Sequence, residues 1–104
     1  MILLDTSVLV DAFTGARRTA PALRRAIESG ERLGLTTLVL YEWRRGPRRP
    51  AELAAQESLW PSESTVVFGA TEAAKAAELY RTVRGARGRE IDLAIAACAI
   101  CGDA

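Results

Sequence analysis

Histidine is absent from this chain, and with it go the Ser-His-Asp and Cys-His nucleophile systems and any imidazole general base. Soft metal ligands are scarce as well: Cys98 and Cys101 are the only cysteines, too few for a closed zinc site. Their C-x-x-C spacing falls at the far end of an apolar helical run. A redox pair belongs at a helix start after a strand, so both read as buried packing thiols. No apolar run approaches a membrane span and no signal peptide opens the chain, which makes the cytoplasm the expected location. Lysine is nearly missing too, Lys75 being the only one among 14 basic residues. Arginine's planar fork donates to phosphates in pairs, although codon bias explains the same excess. The net charge of +1 announces no polyanion partner.

What remains is an ordinary globular composition, 104 residues with 49% hydrophobic and 26% charged, sized for one domain over 1–104. Met1 to Leu4 reads as a short, fully buried strand, apolar without alternation. Thr6 or Ser7 caps a helix through about Phe13, stopped near Gly15. A second helix is expected from Arg18 to Ser29, with the stripe Ala20, Leu23, Ala26, Ile27, Pro21 in its first turn and Gly30 at its end. Arg32 to Thr36 is a second strand, after which Thr37 caps a helix through Arg45 that stops at Gly46-Pro47. Pro50 opens a helix bearing Leu53, Ala54, Glu57 and Trp60. Thr65 to Phe68 is a third strand. Thr71 begins a helix to about Arg84, with the capping acid Glu72 and the stripe Ala73, Ala76, Ala77, Tyr80. Gly85 and Gly88 break it, and a last helix runs from Arg89 or Glu90 to Cys101. Strands alternating with helices predict a layered α/β domain around a parallel sheet.

Three acids stand at the edges of apolar runs: Asp5 after Met1–Leu4, Glu42 between Leu38–Tyr41 and Trp43, and Asp92 before Leu93–Cys101. A carboxylate in such a place needs a neutralising partner. Three converging would repel one another and attract a divalent cation. Asp5 lies at the carboxyl end of its strand, where ligands collect in such sheets, and Asp92 falls at a helix N-terminus. Each also has a plainer reading: Asp5 as a helix cap, Glu42 as a solvated helix face, Asp92 as a dipole partner. Asp11 reads as structural or peripheral. Arg44, Arg45, Arg48 and Arg49 form the densest basic cluster, suited to RNA phosphates or to a helix end complementing its own dipole. Arg84, Arg87 and Arg89 form a looser one. Trp43, Trp60, Tyr41 and Tyr80 read as core or interface residues.

The segment Met1-Ile2-Leu3-Leu4-Asp5-Thr6-Ser7-Val8-Leu9-Val10-Asp11 resembles the opening of the PIN domain, in particular of VapC-type toxins of bacterial type II toxin–antitoxin pairs. Thr36-Thr37-Leu38-Val39-Leu40-Tyr41-Glu42, followed by Gly46, is similar to the segment with that family's second acid, and Glu90-Ile91-Asp92-Leu93-Ala94-Ile95-Ala96-Ala97-Cys98-Ala99 to the helix with its third. The resemblance implies a PIN-like three-layer α/β/α fold and a Mg²⁺- or Mn²⁺-dependent endoribonuclease neutralised by a cognate antitoxin. It implies Asp5, Glu42 and Asp92 as catalytic metal ligands, supported by Thr6 and Ser7. The family usually carries a fourth acid after its last helix and one or two further strands. Asp103 falls too early to match that acid, so the chain is expected to be C-terminally short, with the edge of its first strand open and a homodimer or edge pairing in compensation. An impaired domain that binds an antitoxin without cutting is the competing function. A phosphatase using Asp5 as nucleophile is disfavoured, because Ser7 stands where its second Asp belongs.

Overall fold

The first strand, β1 (Ile2–Leu3), is only two residues long because Asp5 turns the chain into a helix almost at once. At Asp5 the backbone is still extended (φ −81°, ψ 158°), and its carboxylate accepts the Thr6 N–H at 2.7 Å. That satisfies one of the orphan donors of α1 (Thr6–Phe13). The cap is therefore Asp5 rather than Thr6 or Ser7. This computed structural model describes residues 1–102, so Asp103 lies outside the described residues.

Helix α2 (Ala20–Glu28) begins later than Arg18, because its cap residue Thr19 is fixed from outside: its N–H is donated to Asp11 Oδ2 at 2.6 Å. Asp11 is structural, as expected. Strand β2 (Leu33–Gly34) pairs in parallel with β1, Ile2 opposite Leu33 and Leu3 opposite Gly34. A Cβ at Gly34 would come within 2.7 Å of Met1 Sδ, so the Met1 side chain lies directly over this glycine. Helix α3 (Thr37–Arg45) is capped by Thr36, whose hydroxyl accepts the Val39 N–H at 3.1 Å, one residue earlier than expected. Helix α4 (Pro50–Leu59) starts on its proline, and Glu52 reaches back to the Arg49 N–H at 2.8 Å.

The expected third strand is the main departure. Thr65–Phe68 contributes one parallel bridge, Val66 to Thr36, and no strand. A 3₁₀ turn at Ser62–Ser64 precedes it and Gly69 caps α5 (Ala70–Thr82) directly after it, so the segment is too short to extend the ladder. The bridge still places the 33–36 segment in the middle, β1 on one side and Val66 on the other. Glu72 accepts the Gly69 N–H at 3.0 Å, the capping acid expected, with the helix starting at Ala70. Helix α6 (Glu90–Cys101) packs against α5 and touches α3. The architecture is mixed α/β, six helices with a short parallel sheet among the described residues.

The core is the cluster Leu4, Leu9, Leu35, Val39, Trp43 and Trp60. Phe13 lies between the two indoles, 5.9 Å from Trp43 and 6.0 Å from Trp60 by ring centroids. The Trp60 indole N–H is donated to Leu33 O at 3.1 Å, tying α4's end to β2. Full burial of each large side chain is worth about 1.5–3 kcal/mol over exposure. Both tryptophans are core residues as read. Tyr41 and Tyr80 are exposed instead, as are Met1 and Ile2, so β1 is not fully buried. On α5 the half-buried residues are Glu72, Lys75, Ala76 and Leu79, while Ala73, Ala77 and Tyr80 face outward. Cys98 is buried but Cys101, one turn later, is exposed. Burial, followed by the Glu72 charge, pushes the Cys98 thiol above its ordinary value.

Candidate active site

Two helices beginning at the ends of neighbouring strands bring residues 5–7 and residue 42 together. Asp5 lies two residues past β1, and α3 leaves the 33–36 segment with Glu42 just over one turn along. Thr6 joins them. Its N–H is donated to Asp5 Oδ1 at 2.7 Å, and its hydroxyl to Glu42 Oε1 at 2.6 Å. One small residue, 36 positions before Glu42, thus contacts two carboxylates, one capping α1 and the other within α3. Ser7 adds a hydroxyl contact to Asp5 Oδ2 at 3.3 Å. Asp5 is exposed, whereas the Glu42 side chain retains 20% of its accessibility. Glu42 therefore does not have the solvated-face placement of its plainer reading, and Asp5 serves as a cap as well.

Asp92 stands in the first turn of α6 and is exposed. Among the described residues, no three Asp, Glu or Cys side chains gather in a group able to hold a metal ion. Asp5 and Glu42 share Thr6 as a hydrogen-bond donor, and no hydrogen bond among the described residues joins Asp92 to either of them. Helix α6 is held by Leu93, Ala94, Ala97 and Cys98, buried on one side, and Asp92 lies in its exposed first turn.

The pair has the donor chemistry of a hard cation. Mg²⁺ takes oxygen ligands, retains several waters and is commonly held by one or two carboxylates. Each carboxylate has about four lone-pair positions, and the hydrogen bonds from Thr6 and Ser7 leave some of them open. A hydrated divalent cation is compatible with two such carboxylates; a preformed three-carboxylate cage is not present among the described residues.

The arginine cluster divides. Arg48 folds back over α3: its guanidinium lies 4.2 Å from the Trp43 ring centroid and its Nε donates to Trp43 O at 3.0 Å. It closes the helix end and stacks on a core indole, so its role is structural. Arg45 lies 3.7 Å from Glu42 Oε2 and 5.3 Å from the exposed Tyr41 ring. Arg44 reaches Ser62 Oγ at 3.5 Å, and Arg49 is exposed. Gly46 leaves room for the fold of Arg48, since a Cβ there would come within 2.8 Å of its guanidinium. The Glu42–Arg45 contact was readable as an i,i+3 pair. The Thr6–Glu42 bond has no local signal.

A layered α/β domain with paired acids at the carboxyl end of its first strand belongs to the broad class that binds ligands at strand ends. The family model of the PIN domain matches residues 2–104, and the chain belongs to the PIN-domain family. PIN domains are in general metal-dependent nucleases. No curated protein and no solved structure matches the chain.

Proposed function

We propose that the protein is a Mg²⁺- or Mn²⁺-dependent endoribonuclease, the VapC-type toxin of a toxin–antitoxin pair acting in the cytoplasm. The observation that carries this reading is the Thr6 bridge between Asp5 and Glu42. Asp5 and Glu42 hold the ion. Thr6 orients both carboxylates, and Ser7 steadies the outer oxygen of Asp5. Asp92 is the third acid of the site. A bound ion supplies a water of lowered pKa and neutralises charge on the attacked phosphate, chemistry suited to a chain without histidine. Arg44, exposed in the last turn of the Glu42 helix, and Arg49, exposed just past it, grip flanking RNA phosphates.

The partner is a cognate antitoxin. An apolar cleft of about 400 Å³ supports this, lined by Phe13, Leu23, Ile27, Leu59 and Trp60 between α1, α2 and α4. The exposed Met1 and Ile2 on β1 support a homodimer. No described helix is long and apolar enough to cross a membrane.

Incubation of the purified chain with labelled RNA, with and without Mn²⁺, tests the reading. Expected is cutting that requires Mn²⁺ and disappears in Asp5→Asn and Asp92→Asn. Cutting that survives in Asp5→Asn belongs to a contaminant. An inert wild type favours the second reading, a binding module that engages an antitoxin without hydrolysis, with which the lack of a ready three-acid metal group among the described residues is consistent.

A further inference from the structure

We infer that Arg45 is a built-in counter-ion for Glu42 that an incoming divalent cation must displace. The inference rests on the proposed Asp5–Glu42 metal site and adds a residue that competes for it.

The two oxygens of Glu42 are differently engaged. Oε1 takes the Thr6 hydroxyl at 2.6 Å, a normal hydrogen bond from a neutral group. Oε2 faces the Arg45 guanidinium at 3.7 Å, too far for a hydrogen bond and close enough for attraction between charges. Both residues are on α3, one turn apart, so the contact is intrinsic to the helix and needs no partner. The Arg45 side chain keeps 59% of its accessibility, and in the same placement its guanidinium lies 5.3 Å from the centroid of the exposed Tyr41 ring. It is therefore free to leave. Arg48, by contrast, is committed to Trp43 and unavailable.

A doubly charged ion on the Glu42 carboxylate would bring three positive charges onto one acid, and the guanidinium would be repelled. Loading is thus an exchange: the ion enters while Arg45 swings outward into solvent. Because exposed ion pairs are weak, the competition amounts to about a two- to fivefold loss of metal affinity at low ionic strength. It should fade as salt screens the pair.

Mn²⁺ binding, followed as the electron paramagnetic resonance signal of the free ion, tests this without any turnover. Wild type, Arg45→Gln, Arg45→Lys and Asp5→Asn are titrated in low salt and at high salt, with circular dichroism confirming the fold. Expected are weaker binding in Asp5→Asn, binding about two- to fivefold tighter in Arg45→Gln, and a return toward wild type in Arg45→Lys. The gain should largely vanish at high salt. If Mn²⁺ binds in an Asp5-dependent manner but Arg45→Gln leaves affinity equal or weaker, the counter-ion is wrong and the metal site stands. If Asp5→Asn changes nothing, or no Mn²⁺ binds, the metal site itself fails and Arg45 with it.

Discussion

Thr6 bears more on function than its size suggests. Through one backbone donor and one hydroxyl it sets the relative placement of Asp5 and Glu42. The backbone bond survives any side-chain change, so Thr6→Val isolates the hydroxyl while keeping the shape. Outer-shell groups of this kind typically matter by about 10–100-fold in metal affinity. Mn²⁺ affinity in Thr6→Val should fall within that range while the helix content is unchanged; equal affinity would mean that the hydroxyl orients nothing. The sequence was sufficient to mark Asp5, Glu42 and Asp92 as acids beside apolar runs, and the family resemblance added Thr6 and Ser7 as support. It did not reveal that Thr6 reaches Glu42, because a hydrogen bond across 36 positions depends on how α1 crosses α3. The first-turn position of Asp92 was readable, whereas its exposure follows from packing farther along α6.

At the level of elements, local chemistry was legible where one residue decides. Gly69–Glu72 and Arg49–Glu52 each place a glutamate three residues past the cap and complete it. Thr65–Phe68 was misread because its apolar residues have strand composition while its neighbours, a 3₁₀ turn and a helix cap, consume the length a strand needs. Arg48 was placed among RNA-binding arginines, yet it is bound to the end of α3. Arg48→Ala should destabilise the fold by about 0.5–2 kcal/mol through the lost indole contact, read by urea unfolding, and leave RNA affinity nearly intact. Arg44→Ala or Arg49→Ala should do the reverse, reducing RNA binding and its salt dependence with little change in stability.

The end of α4 also carries a pH dependence. Glu57 accepts the Ser62 hydroxyl at 2.7 Å and the Ser62 N–H at 3.0 Å. The hydroxyl bond first, then the backbone bond, holds its carboxyl below the ordinary value of 4.5. The folded state thus binds this proton less readily than the unfolded chain. Its contribution is present above the ordinary carboxylate pKa and is lost as pH falls through the lowered value. Acid titration of stability should therefore show a shallower decline in Glu57→Gln than in wild type; superimposable acid limbs would show that the Ser62 contacts contribute nothing to folding.

For the whole molecule, the short sheet leaves its first strand half covered. Ile2 and Leu4 donate their N–H groups to Arg32 and Gly34 carbonyls, and Met1 and Ile2 retain nearly half their accessibility. A strand edge with exposed apolar side chains invites association, and a charge there discourages it. Sedimentation velocity at increasing concentration should show self-association in wild type that weakens in Ile2→Lys. A wild type monomeric at every concentration would remove the case for edge pairing. The layered α/β class followed from alternating patterns, but the extent of the sheet did not, since it depends on which segments find partners.

The central claim is that Asp5 and Glu42, joined by Thr6, form one cation site. Crystals soaked in Mn²⁺ and measured near the manganese absorption edge test it most directly. The account predicts an anomalous peak bounded by the carboxylates of Asp5 and Glu42, absent in Asp5→Asn crystals. A peak elsewhere on the surface, or none at saturating Mn²⁺, would contradict it.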